Sequence, residues 1–125
     1  MVAFKGRALV KGFAEGEAVV VNEISFYGDV DPETGMLFDG RSLRDKILVS
    51  YKPRGSTVGS YIIYALKMNN VSPKAIIMSS SEPIIVAGCV LSGIPLVDGI
   101  SIKDLKTIKD GDLIIVKEGL VLVNE

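Results

Sequence analysis

Lys46-Ile47-Leu48-Val49-Ser50-Tyr51, Ala75-Ile76-Ile77-Met78 and Pro95-Leu96-Val97 are the stretches that decide the fold of this chain. Each is a short apolar run without alternation, the pattern of a parallel strand buried on both faces. Helical signals separate them. Between the first and second, Val58, Ile62, Ile63 and Leu66 fall on one face of a helix over 58–68, with Asn69-Asn70 as its stop. Between the second and third, Ser79-Ser80-Ser81-Glu82-Pro83 reads as a helix start, with serine to cap, an acid in the first turn and proline near the first helical position. That helix passes Val86 and Val90 to about Leu91, and Gly93 ends it. The order is β-α-β-α-β. Right-handed crossovers place both helices on one side of such a sheet.

The opposite side needs cover, and the flanking segments are β in character. Phe4 to Val10 and Glu17 to Val21 read as strands, separated by the turn signals Lys11-Gly12 and Glu15-Gly16. Leu113 to Val116 and Leu120 to Val123 form a hairpin around Lys117-Glu118-Gly119. Ile24 to Tyr27 reads as a further short strand, and Asp31-Pro32-Glu33-Thr34-Gly35 as a turn across which Met36 to Phe38 pairs back. Ser101 to Ile108 suits a short helical turn. The expected fold class is α/β, a three-layer β/β/α arrangement in a single domain over residues 1–125. A central, partly parallel sheet carries helices on one face and antiparallel β segments on the other.

Composition narrows the function. The 125 residues are 48% apolar and 23% charged, and a chain of this length buries roughly two thirds of its unfolded surface without metal or disulfide staples. Lys plus Arg is 14 against 15 for Asp plus Glu, a net charge of −1. No strongly basic surface for nucleic acid follows from that balance. Neither a membrane-length apolar run nor a secretory leader is read, so the expectation is a cytoplasmic protein with no nucleic-acid or membrane partner. Histidine is absent, which excludes Ser-His and Cys-His nucleophile pairs, an imidazole acid or base, and phosphohistidine transfer. Cys89 is the lone cysteine, so the chain by itself holds neither an iron–sulfur cluster nor a structural zinc.

The densest chemistry is Arg54-Gly55-Ser56-Thr57-Val58-Gly59-Ser60, between a strand and a helix. Amides at a helix start point at an anion, and Arg54 adds a permanent fork donor. Only three residues separate Gly55 from Gly59 and no Lys-Ser/Thr follows, so this is not a Walker loop. Ser56 directly follows the first glycine, so it is not a nucleophile elbow either. The structural alternative is that Ser56 and Thr57 cap the helix and the glycines serve the turn. Ser79 to Ser81 lie at the same end of the sheet, where ligands of α/β proteins gather, but suit a cap and loop equally. Asp31 and Glu33 read as turn residues, Cys89 as a small core side chain, and Tyr61 and Tyr64 as packing.

Taken in order, several stretches resemble one family. They are Gly6-Arg7-Ala8-Leu9-Val10-Lys11-Gly12 with Ala14-Glu15-Gly16-Glu17-Ala18, Ile24-Ser25-Phe26, and Val30-Asp31-Pro32-Glu33-Thr34-Gly35. Gly55 to Tyr61, Pro73 to Ile77, Glu82-Pro83-Ile84 and Gly93 to Val97 continue the series. Together they resemble the swivelling domain of aconitase X, and as a separate short chain the sequence is most similar to that family's small subunits. The resemblance implies a swivelling β/β/α fold and a hydro-lyase active only with its large subunit. The implied reaction is reversible dehydration of (R)-5-phosphomevalonate to trans-anhydromevalonate 5-phosphate, in an archaeal-type mevalonate route to isoprenoids. It further implies an iron–sulfur cluster on the large subunit, none bound by this chain, and Ser56 as proton acceptor. Arg54, Gly55, Thr57, Gly59 and Ser60 are the expected substrate-binding positions around it, with Arg54 either raising the local positive potential or gripping a substrate anion. A cis-3-hydroxyproline dehydratase of the same family and a non-catalytic binding or assembly module are the alternatives. Lys52-Pro53, Asp29 and a short segment from Met36 to Arg41 depart from the family pattern.

Overall fold

The structure is a computed structural model, and it describes residues 1–54 and 58–124. In chain order the elements are β1 (Val2–Lys5), β2 (Arg7–Val10), β3 (Phe13–Ile24), α1 (Phe26–Asp29), β4 (Ile47–Pro53) and α2 (Gly59–Met68). There follow β5 (Ala75–Met78), α3 (Pro83–Ser92), β6 (Leu96–Asp98), α4 (Ile102–Leu105), β7 (Leu113–Lys117) and β8 (Leu120–Asn124). The strands hydrogen-bond in the order β1-β8-β7-β3-β4-β5-β6-β2.

Strand β3 joins two half-sheets. Its first part, Phe13 to Glu17, pairs antiparallel with β7, and its second, from Ala18 to Ile24, pairs parallel with β4. The expected strand over 17–21 is therefore the middle of a longer one. Phe4 to Val10 is not one strand. The chain breaks at Gly6, so that β1 lies on β8 at one edge of the order and β2 on β6 at the other. Gly6 donates its amide to the Gly119 carbonyl at 2.8 Å. A Cβ at Gly6 would lie 2.5 Å from the Asp98 carbonyl oxygen, so only glycine fits where the edges meet.

Alternation along the parallel strands creates two cores. Leu48, Ile76, Met78 and Leu96 point to the helices, where Ile63, Leu66, Ile85 and Cys89 meet them. Ile47, Val49, Ala75, Ile77 and Val97 point the other way, onto Ile114, Val116, Val121 and Val123 of the β7–β8 hairpin. These are the β/β/α layers expected from the continuous apolar runs. Burying both faces of each central strand is what requires such runs.

Four local readings differ from the structure. Ile24 to Tyr27 is not a strand, because Ile24 completes β3 beside Pro53 and the chain then turns into α1. The Asp29 amide donates to the Ser25 carbonyl at 2.9 Å and closes that turn. None of Ser79 to Ser81 caps α3. Its N-cap position is Glu82, without a side-chain cap, and Pro83 opens the helix. Tyr61 and Tyr64, expected in the packing, are exposed on the outer side of α2. Glu15-Gly16, read as a turn, lies inside β3 and pairs with Ile115 and Ile114, whereas the Gly93 stop at φ 67° and the Asp31 turn, whose carboxylate accepts from the Glu33 amide, are as expected.

Candidate active site at the carboxyl end of the parallel strands

Parallel strands β3, β4, β5 and β6 end at Ile24, Pro53, Met78 and Asp98. Arg54 follows β4 directly, and its amide extends the β3–β4 ladder by donating to the Ile24 carbonyl at 2.8 Å. The side chain is more than half exposed, yet it is held. Its Nη2 lies 3.0 Å and 3.1 Å from the two carboxylate oxygens of Asp29. Asp29 is itself fixed, because its Oδ2 accepts the Ser25 amide at 2.9 Å. A carboxylate with two sets of donors is a rigid seat for a guanidinium.

Arg54 and Asp29 border a cleft of about 360 Å³, with Asn22, Glu23, Phe38 and Arg41 on its other walls. Arg41 is braced in turn. Its Nη2 donates to Asp39 at 2.7 Å, and its Nη1 to Asp110 at 2.8 Å and to the Val20 carbonyl at 2.8 Å. The hydrogen bond from Arg41 holds the Asp39 carboxyl below the ordinary carboxylate range, and the same bond raises the Arg41 guanidinium further above its own. Arg41 thus spans the edge of β3 that β7 leaves unpaired.

The expected site residues divide. Gly55, Ser56 and Thr57 lie outside the described residues. Val58 occupies the N-cap position of α2, so Ser56 and Thr57 precede the cap in sequence. Gly59 is buried at the start of α2, and a Cβ there would make ordinary contact with Ile84 Cγ2 at 3.4 Å. Ser60 is half-buried where α2 crosses α3, its Cα 3.0 Å from where a Cβ on Gly88 would sit. Ser79 and Ser80 stand at the same end, their amides directed at the Tyr51 carbonyl. Cys89 is fully buried in the helix-facing core, and that burial pushes its thiol up to about 12. Among the described residues no cluster of His, Cys, Asp and Glu is arranged to hold a metal ion. Nor is any described helix long and apolar enough to cross a membrane.

A family model for the aconitase X swivel domain matches residues 3–123, nearly the whole chain. The chain belongs to the aconitase X swivel-domain family. Within the family it is 49% identical over 124 residues to the phosphomevalonate dehydratase small subunit of Aeropyrum pernix, covering 98% of this chain and 94% of that one. To the phosphomevalonate dehydratase small subunit of Thermococcus kodakarensis it is 52% identical over 110 residues, covering 82% and 83%. The holo-form crystal structure of Thermococcus kodakaraensis aconitase X superposes with a TM-score of 0.92 at 45% identity, covering 100% of both chains. The swivel fold is therefore shared throughout, including the three-layer arrangement that brings β3 and β4 to a common end.

Asp29 and Arg41 line this cleft without having been singled out as candidates from the sequence. Asp29 has one local signal, its spacing of four from Ser25, which suits a carboxylate reaching back to an amide at a turn start. Arg41 has a local partner in Asp39 only. Its link to Asp110 spans 69 positions and leaves no trace in the sequence.

Proposed function

We propose that this chain is the small subunit of a phosphomevalonate dehydratase and that Ser56 is its proton acceptor. The observation that carries this reading is similarity to such small subunits over 98% of the chain. The structure of the described residues agrees with it in kind. The segment containing Ser56 connects Arg54, at the carboxyl end of β4, to the start of α2, in the region where α/β proteins bind ligands.

In (R)-5-phosphomevalonate the proton to be removed is on C2, beside the carboxylate, and the hydroxyl to be lost is on C3. Ser56 Oγ, as the alkoxide, takes the C2 proton, the C–H electron pair becomes the C2–C3 double bond, and the C3 hydroxyl departs with its bonding pair as hydroxide; net return of the proton from Ser56 to that hydroxide gives water and restores the alkoxide. A serine oxygen basic enough for this must be generated among donors that stabilise its anion, and amides at a helix start are such donors. The iron–sulfur cluster expected for this family does not fit this chain. There is no histidine, and the lone cysteine is buried in the helix-facing core. The cluster is assigned to the large subunit, and the site is completed only when that subunit associates.

The test is reconstitution with the large subunit. Wild-type pairs are expected to dehydrate 5-phosphomevalonate, and the small chain alone to be inert. Ser56→Ala should lower kcat by about 10²- to 10⁴-fold, the usual worth of a positioned general base, with subunit association unchanged. Turnover of cis-3-hydroxyproline alone would assign the other substrate. Full turnover by Ser56→Ala would leave this chain an assembly module.

A further inference from the structure

We propose that Asp29 is a positioning residue of this active site, fixing the Arg54 guanidinium so that it presents donors to an anionic group of the substrate. The inference rests on the functional reading above and goes beyond it in naming how the arginine is oriented and by what.

Three observations carry it. First, Asp29 is held independently of Arg54. Its backbone amide donates to Ser25, and its carboxylate accepts the Ser25 amide, so one side of the carboxylate is anchored before any arginine arrives. Second, the contact with Arg54 is end-on. Nη2 alone approaches Asp29, at 3.0 Å and 3.1 Å from its two oxygens, and Nε and Nη1 take no part in that contact. A fork-on-fork pair with a carboxylate would have used two nitrogens at once. The end-on contact sets the direction of the planar group while keeping its other donors out of the pair. Third, both residues line the same cleft of about 360 Å³. Side-chain exposure falls from 57% at Arg54 to 23% at Asp29, so the carboxylate is the inner seat and the guanidinium faces the opening.

Pairing also changes what Arg54 can do. A carboxylate at 3.0 Å offsets most of its charge. The arginine therefore adds little bare positive potential to a nearby oxygen. It serves as an aimed hydrogen-bond donor, suited to the planar or tetrahedral oxygens of a carboxylate or phosphate. Orienting it in advance removes rotamer freedom that would otherwise be lost on binding, which lowers the entropic cost of gripping the ligand. A partly exposed ion pair contributes little to folding, so its arrangement is better explained by orientation than by stability.

The experiment is steady-state kinetics of the reconstituted two-subunit enzyme on 5-phosphomevalonate, with Asp29→Ala, Asp29→Asn, Arg54→Ala and the Asp29→Ala/Arg54→Ala double variant. Asp29→Ala is expected to raise KM about tenfold with kcat within threefold of wild type. Asp29→Asn, which keeps one oxygen for Nη2 and turns the other into an NH2 donor facing it, should restore KM only in part. The double variant should match Arg54→Ala alone, since Asp29 has nothing left to orient. An unchanged KM in Asp29→Ala, or additive losses in the double variant, would overturn the proposal. A second readout needs no variant. In the wild-type chain, NMR should show the Arg54 guanidinium rotating slowly about its Cζ–Nη2 bond, and free rotation there would overturn the proposal even if Asp29→Ala did not fold. A wild-type pair that associates but leaves 5-phosphomevalonate untouched would defeat the functional reading, and the guanidinium measurement would still decide the orientation.

Discussion

At the amino-terminal end of the parallel strands, a hollow of about 620 Å³ is bordered by Lys11, Phe13, Asp45, Lys67 and Lys74. At the carboxyl end, the cleft beside Arg54 and Arg41 is little more than half that size, about 360 Å³. The larger hollow is the more loosely built. Among the described residues, none of its three lysines is in an ion pair. Lys67 lies in the last turn of α2, where a cation complements the helix dipole without further purpose. In the smaller cleft both arginines are tied to carboxylates, and those carboxylates are tied to backbone amides. Volume reports how strands and helices happen to splay, whereas bracing reports where side-chain direction matters. The comparison favours the smaller cleft as the place of chemistry.

The most forceful way to break that comparison is to strip each end of its cations. In the reconstituted enzyme Arg54→Ala should lower kcat/KM by about 10- to 100-fold, the worth of one hydrogen bond to a charged group. The combined Lys11→Ala, Lys67→Ala and Lys74→Ala variant should stay within about twofold of wild type, as solvated surface lysines do. Equal losses at the two ends, measured as kcat/KM on the same substrate, would reverse the lesson.

A smaller effect contrasts two left-handed glycines. Gly35 has φ 74° and anchors the segment leading to Phe38 and Arg41, accepting the Leu43 amide and donating to the Asp31 carbonyl. A Cβ there would stand 2.5 Å from the Val71 carbonyl oxygen. Gly93, beside the large hollow, has φ 67° and open space around it. Gly93→Ala therefore incurs the left-handed penalty alone, about 1 kcal/mol. Gly35→Ala adds a clash with backbone that cannot swing away, for a total of about 3 kcal/mol. Thermal melts of the isolated chain should separate them, with shifts of roughly 4 °C and 12 °C. Equal shifts would mean that the Gly35 segment yields as easily as an open turn.

The same contrast shows what was legible in the sequence. Ala75 to Met78 matches its strand residue for residue, since an unbroken apolar run between Pro73 and Ser79 admits little else. The end of α3 was legible in Gly93 because a left-handed stop favours glycine. Ile24 to Tyr27 misled because local apolar content cannot tell a strand from a turn whose Phe26 is buried under the helices. Arg54 stood out as a cation before a helix, but its partner Asp29 lies 25 positions away and was invisible to any local pattern. Local rules therefore recovered the layers and the order of parallel strands and helices. Pairings made across the chain, which give the cleft its direction, were beyond them.

The finest test of the bracing concerns Asp39. Arg41 holds this carboxyl below its ordinary value of 3.8, first through the side-chain hydrogen bond and then through the Arg41 amide. A depressed folded-state value means that the unfolded chain binds the proton more readily. The resulting stabilisation is complete above the unfolded value and fades as pH falls through the folded one. Asp39→Asn keeps an oxygen for the Arg41 amide, which Asp39 Oδ1 accepts at 3.0 Å, and removes the charge together with the Oδ2 acceptor of Arg41 Nε and Nη2. Melting midpoints of wild type and Asp39→Asn should differ slightly at pH 7 and converge as the solution is acidified below the ordinary carboxylate range. The gap should be the smallest effect considered, because the pair is exposed and Arg41 keeps Asp110 and the Val20 carbonyl when Asp39 is gone. Added salt should shrink it further. A gap that stays constant from neutral to acid pH would mean that Asp39 shapes the loop through its turn alone, and that the charge on Arg41 is not what holds this edge of β3.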